Sequence, residues 1–426
     1  GDTNDTNDDG LIESDTGPTH TYSAEGEYTI TISIADVESG AFPRIKCFGA
    51  DDADKLESIP NLGAVGWTSF EQAFFGCNSL GKVYGGDLSN VTNTLRMFRD
   101  TVLADPDTSG WNVSNVTDMS QMFRGADIAN PNTSNWNVSS VEDMSYMFQA
   151  TDAANPDVSS WNTVNVTTMA AMFNSAEAAT LTENGGTLNW DVSNVTNMQH
   201  MFDNTHVANP DVSGWDTSNV TTMFAMFHKS KAANPNVSTN GNIWNVSNVT
   251  NMWHMFQESE AATLLVGDGT TNWNTHKVTS MQEMFRDALV ANPNVSGWDT
   301  SNVTKMAQMF ENADAATLTA NGGTINWNTH KVVSMGVMFY NTELANPDVS
   351  GWDTSNVTNM GGMFQNALSA NPVTTTNGNI WNTHKVSTFA SMFENTDANP
   401  DVSGWDTAKA WTFRNMFYGA ENANPD

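Results

Sequence analysis

One spacing governs what this chain can fold into. Tryptophans recur at Trp111, Trp136, Trp161, Trp190, Trp215, Trp244, Trp273, Trp298, Trp327, Trp352, Trp381 and Trp405. Successive steps are 25 or 29 residues, and the last is 24. Whatever the step, a Met-Phe pair follows each tryptophan, its Phe twelve residues on, from Phe123 to Phe417. A valine sits five residues after most of them, as at Val116, Val220, Val303 and Val357. Self-similarity at a fixed period is the mark of a solenoid, in which each unit buries its apolar face only against its neighbours.

The longer coils differ in one place. A short coil leads into its tryptophan as "ANPDVSGW" (208–215), a long one as "ATLTENGGTLNW" (179–190). The four additional residues come with a Gly-Gly or Asn-Gly turn, and the Trp-to-Phe distance is unchanged, so the addition lies in one loop. "WNTHKV" recurs at 273, 327 and 381, which points to duplication of a two-coil unit.

Local pattern predicts the rest of a coil. Pro then alternating Val and Trp in "NPDVSGW" predicts a short buried strand. "DTSN" or "NVSN" carries side chains that bond their own backbone and favours a bend or cap. Val220, Met223, Met226 and Phe227 lie three and four apart, which predicts a short amphipathic helix capped by Ser218 or Thr221. The expected fold is an α/β solenoid with one short parallel strand and one short helix per 25- or 29-residue coil. Trp, Val, Met and Phe would form internal columns. Thirteen Met-Phe turns at a strand spacing of about 4.7–4.9 Å imply a rod on the order of 60 Å. The chain divides into an acidic tract (1–19), an N-terminal β cap (20–66) and the solenoid (67–426), whose first coils (67–98) are degenerate and whose regular coils run over 99–426. Ala423-Asn424-Pro425-Asp426 restarts the coil motif, so the natural chain is expected to continue.

Charge narrows the partners. There are 48 Asp and Glu against 16 Lys and Arg, a formal charge of −32. Such a surface repels nucleic acid and anionic lipid, so neither is an expected partner. No apolar run is long enough to span a bilayer, so no membrane insertion is expected in this segment. Cys47 and Cys77 fit either a disulfide or two buried thiols.

"WDTSNVTxMxxMF" resembles the repeat of BspA-like leucine-rich-repeat surface proteins, the DUF285-type bacterial surface-protein repeat. The order of "HTYSAEGEYTITISI" (20–34), "FPRIKCFG" (42–49), "KLESIPNLG" (55–63) and "WTSFEQAFFGCNSL" (67–80) extends the resemblance to roughly residues 20–426. It implies a leucine-rich-repeat-like solenoid and an exported bacterial protein, secreted or at the cell surface. Its Asn-Pro-Asp segment and alternating 29-residue coils depart from the commoner repeat, so no ligand carries over.

Few residues suggest a site. Asp5, Asn7, Asp9 and Glu13 flank Gly10 in a D-x-N-x-D-G pattern, the alternating oxygens that Ca²⁺ coordination uses. Position twelve of that pattern is Thr16 rather than a bidentate Glu, which favours a solvated acidic linker over a calcium site. The Asn-x-Thr strings, such as Asn219-Val220-Thr221, match a glycosylation acceptor, but each coil uses them as its bend. His276, His330 and His384 fall in alternate coils, too far apart to share one metal. The paired Met residues have helical spacing beside Phe, which is what a core requires. Ser, His and acidic residues repeat instead of forming one constellation, so no enzyme, no catalytic residue and no bound cofactor beyond candidate calcium is expected. The expected function is a binding or adhesion scaffold for an extracellular glycan or protein. A self-associating fibre subunit comes second and an ice- or crystal-binding surface third.

Overall fold

The computed structural model describes residues 26–29, 31, 45, 53–181, 188–235, 238–239, 242–264, 273–318, 325, 327–370, 372, 375–376 and 379–424. Most of the expected N-terminal cap lies outside them. A short 3₁₀ turn (Ala53–Lys55) precedes the first coils.

The coils stack along one parallel ladder. Ser69 pairs with Asn93, Asn93 with Asp118, and the series continues rung by rung to Thr388 and Thr412. In the regular coils each rung lies seven residues after the tryptophan. In the coil of Trp215, the amides of Met223, Ala225, Phe227 and Lys229 donate to the carbonyls of Asn251, Trp253, Met255 and Gln257 in the next coil, at 2.8–3.1 Å. The alternate amides turn back. Met226, His228 and Ser230 donate to the carbonyls of Met223, Ala225 and Phe227 at 3.2–3.3 Å. Backbone polarity is thus satisfied half across the stack and half within the coil.

This arrangement corrects the expected helix. The described residues contain no α-helix. In its place, four-residue turns overlap, with left-handed backbone at Ala225 (φ 52°) and Lys229 (φ 56°). A positive φ at the third residue is the mark of a type II turn. The same pair recurs at Gln121 and Gly125, and at His200 and Asn204. A left-handed non-glycine residue costs about 1–2 kcal/mol. Bonds to the next coil and burial of the Met and Phe between the turns offset it.

The expected strand at "VSGW" is also replaced. Trp215 closes a turn onto the Val212 carbonyl at 3.2 Å. The carboxylates of Asp211 and Asp216 accept the amides of Ser213 and Ser218, both at 3.0 Å. The tryptophan is thereby held between two Asx turns. Named strands are short: β1 (Lys82–Val83) pairs in parallel with β2 (Asp105–Pro106). In two long coils the added residues form antiparallel hairpins, β3 (Ser238–Thr239) with β4 (Asn242–Ile243), and β5 (Thr375–Thr376) with β6 (Asn379–Ile380). Asn-Gly stands between the strands in both sequences, as the predicted loop requires.

The internal columns form as expected. Phenylalanine rings stack without a break from Phe74 to Phe417, with centroids 5.3–6.1 Å apart. Tryptophans make a second column: Trp215 lies 6.0 Å from Trp190 and 6.3 Å from Trp244. Its indole N–H donates to the Leu188 carbonyl at 3.0 Å. Val220, Met223 and Met226 are fully buried beside them, and Cys77 joins the same core. Cys47 lies outside the described residues. Two residues after the tryptophan the core holds either Val, as at Val192 and Val246, or Thr, as at Thr217 and Thr275. Where Thr stands, its hydroxyl donates across the junction, as Thr217 does to the Asn245 carbonyl at 3.1 Å.

Candidate functional site

Three sets of residues singled out by the sequence behave differently in the stack. Asp5, Asn7, Asp9 and Glu13 lie outside the described residues. The Asn-x-Thr strings are structural. Asn219 Nδ2 donates to the Ser193 carbonyl at 2.7 Å, Val220 points into the core, and Thr221 is a ladder residue, not a helix cap. His276, His330 and His384 stay apart, each with Nδ1 on the Asn two residues earlier, at 2.6–2.9 Å. The lysine after each one reaches back to Asn248, Asn302 or Asn356 at 2.6 Å, extending the asparagine row.

What the repeat does not repeat is more informative. Interior positions are nearly constant from coil to coil. The positions nine, ten and thirteen residues after the tryptophan are not. Adjacent coils place Phe224 and Trp253 at the first, His200, His254 and Glu283 at the second, and Asp203, His228, Arg286 and Glu311 at the third. The ladder therefore brings into one patch residues that lie 25–29 apart in sequence.

Asp203 is the centre of this patch and is only 8% exposed. His200 Nδ1 and His228 Nδ1 meet its two carboxylate oxygens at 2.7 and 2.8 Å. Burial raises the Asp203 pKa, but the hydrogen bonds and charge of both imidazoles outweigh it, and the net shift is downward. Burial lowers the pKa of His254 against the opposing pull of Gln257 and Glu283. Glu283 is buried too, yet the bonds from Gln282 and Arg286 bring its carboxyl below the usual range. Arg286 Nη1 holds Glu283 at 3.0 Å, while its Nε faces Asp287 and Glu311 at 3.2 and 3.5 Å without hydrogen-bond alignment.

Aromatic rings border these charges. His254 lies flat on Trp253 at 4.7 Å, and Phe224 meets His200 edge-on at 4.7 Å. Phe224 and Trp253 are 5.7 Å apart, and Lys305 Nζ sits 5.5 Å from the Trp253 ring centre. Half-buried rings beside fixed donors and acceptors offer a stacking and hydrogen-bonding surface. Among the described residues, no three or more His, Cys, Asp or Glu side chains are grouped so as to hold a metal. No helix among them is long and apolar enough to cross a membrane. Residues that recur from coil to coil do not mark this patch. The available signal was the reverse, the columns where the repeat breaks its own pattern.

A ladder of 25- or 29-residue coils with a constant interior and a variable rim defines a solenoid repeat protein. Its family follows from comparison. The family described as "Mycoplasma protein of unknown function, DUF285" matches residues 68–184, 180–267, 242–323, 260–375 and 315–426, and the chain belongs to it. No curated protein matches. The chain is similar to the leucine-rich-repeat protein in the solved structure "Crystal structure of TLR13-ssRNA13 complex" at 9% identity and a TM-score of 0.19, over 84% of this chain and 48% of that one. It thus spans about half the length of that chain. A likeness of that score carries no argument about fold or ligand.

Proposed function

We propose that this protein is a secreted or cell-surface binding scaffold, and that the patch around Asp203, Phe224 and Trp253 contacts an extracellular glycan or protein. One observation carries the reading: variation between coils is concentrated on an outer patch where aromatic and charged side chains are held by neighbouring coils. A scaffold that only stacked would have no use for such variation. A rigid frame bearing variable side chains is the usual way a repeat array makes a binding surface. The charge of −32 opposes a nucleic-acid ligand.

The test is an array of glycans and extracellular proteins probed with the purified chain and with a Phe224→Ala, His228→Ala, Trp253→Ala variant. Saturable binding that the variant loses supports the reading. Binding retained in full by the variant, or none on any surface, overturns it.

A further inference from the structure

We propose that a second outer face, next to the variable patch and not dependent on it, fits the lattice of ice. Thr167, Thr196, Thr221, Thr250, Thr279 and Thr304 occupy one position in six successive coils. Five are exposed and Thr304 is half-buried. Each uses both its amide and its hydroxyl on a single carbonyl of the preceding coil. For Thr221 these bonds to Thr196 are 2.8 and 3.0 Å, and across the six the hydroxyl bonds are 3.0–3.3 Å. Every rotamer is therefore fixed in the same sense. Each coil presents one methyl group and one hydroxyl oxygen with its acceptor lone pairs at the ladder pitch of about 4.8 Å.

A second rank runs beside it. Asn165, Asn194, Asn219, Asn248 and Asn302 each donate to a carbonyl of the preceding coil at 2.7 Å, and Lys277 takes this place in the coil between the last two. Both ranks are ordered before any partner arrives, so binding orders few side chains.

The chemistry of the face selects the partner. The segments 163–168, 192–197, 217–222, 246–251, 275–280 and 300–305 contain no Asp or Glu, in a chain that has 48 of them, and their basic side chains are His276, Lys277, tied to Asn248, and Lys305, which lies over Trp253. The same columns do accept carboxylates elsewhere, at Asp118, Glu142 and Asp143. A mineral lattice of cations would need such carboxylates. A crystalline polysaccharide would need stacking rings, and these segments contain no Phe, Tyr or Trp. A soluble macromolecule gives no reason for identical contacts at a fixed pitch. Ice is uncharged, periodic and bound through hydrogen bonds and ordered water, which methyl and hydroxyl rows can template.

The test uses the full chain during slow growth of an ice hemisphere, with the protein in the ice and in the remaining liquid both measured. Crystal shape is followed in parallel under a microscope. The wild type should enter the ice and facet the crystals. Thr221→Tyr with Thr250→Tyr should abolish both effects. Thr221→Glu with Thr250→Glu should do the same, and Glu142 shows that the column folds with Glu. The Phe224→Ala, His228→Ala, Trp253→Ala variant should keep both effects, which separates this face from the binding patch. Exclusion of the wild type from ice, or full retention by both threonine variants, overturns the proposal.

Discussion

The internal columns make Trp215→Ala the most informative single substitution. Its ring is 4% exposed and stacks between Trp190 and Trp244, with Phe202 at 6.4 Å. Removing it deletes a large buried ring and leaves a cavity that the rigid ladder cannot close. The expected cost is about 3–5 kcal/mol. The Leu188 carbonyl also loses the indole donor, worth about 1 kcal/mol, and Trp215→Phe, which loses that donor and part of the ring volume, should cost less than Trp215→Ala. Asp216→Ala is the neighbouring control. It removes an exposed carboxylate that only braces the Ser218 amide, and should cost about 0.5–1 kcal/mol. Urea unfolding followed by far-UV circular dichroism measures all three. A Trp215→Ala cost within about 0.5 kcal/mol of that for Asp216→Ala would refute the column account.

Other consequences are as direct. Gly362 has φ +62°, and a Cβ there would meet Val337 Cγ1 at 2.7 Å, so Gly362→Ala should destabilise by about 1–3 kcal/mol and Val337→Ala should recover part of it; strictly additive costs in a thermodynamic cycle would contradict the contact. The lowered pKa of Asp203 means its ionised form stabilises the fold above the ordinary Asp value of about 3.9, and that contribution is lost as pH falls through the lowered value. Asp203→Asn should therefore cost most near neutral pH and progressively less in acid, and a cost that grows in acid would reverse the sign of the argument. With a charge of −32, the melting temperature should rise between low salt and about 0.15 M ionic strength, where the Debye length is about 8 Å; a flat or falling curve would show that self-repulsion is not a governing term.

The stack itself was legible in the sequence, because Trp, Val, Met and Phe keep their phase across coils of different length. So was the turn inserted in the long coils, which in two of them, with Asn-Gly at 240–241 and 377–378 in the sequence, joins antiparallel strands. The helix was a misreading with a physical cause. Met223, Met226 and Phe227 share one side of a helix at three- and four-residue spacing, and overlapping turns place them on one side as well. What separates the two is left-handed backbone every fourth residue. Gly76, Gly125, Gly362 and Gly419 announce it, and Asn at Asn204, Asn312 and Asn341 is compatible with it, but Gln, His, Ala, Glu and Val at other such positions give no warning. The strand was sought beside the tryptophan, where the Val-Trp alternation lies. The real ladder runs through Thr221 and Thr222, where bonding to the next coil leaves little trace in residue type. His200, Asp203, His228 and His254 were invisible as a group, since only the coil rise brings residues so distant in sequence together.

Amide hydrogen exchange tests the ladder most directly. The amides of Met223, Ala225, Phe227 and Lys229 are bonded to the next coil, so their protection depends on the coil of Trp244 and not on their own. Trp244→Ala should speed exchange of all four while leaving Met119, Gln121 and Phe123, bonded to the coil of Trp136, unchanged. If the four amides keep their protection when the coil of Trp244 is loosened, their bonds lie within their own coil and the ladder is contradicted.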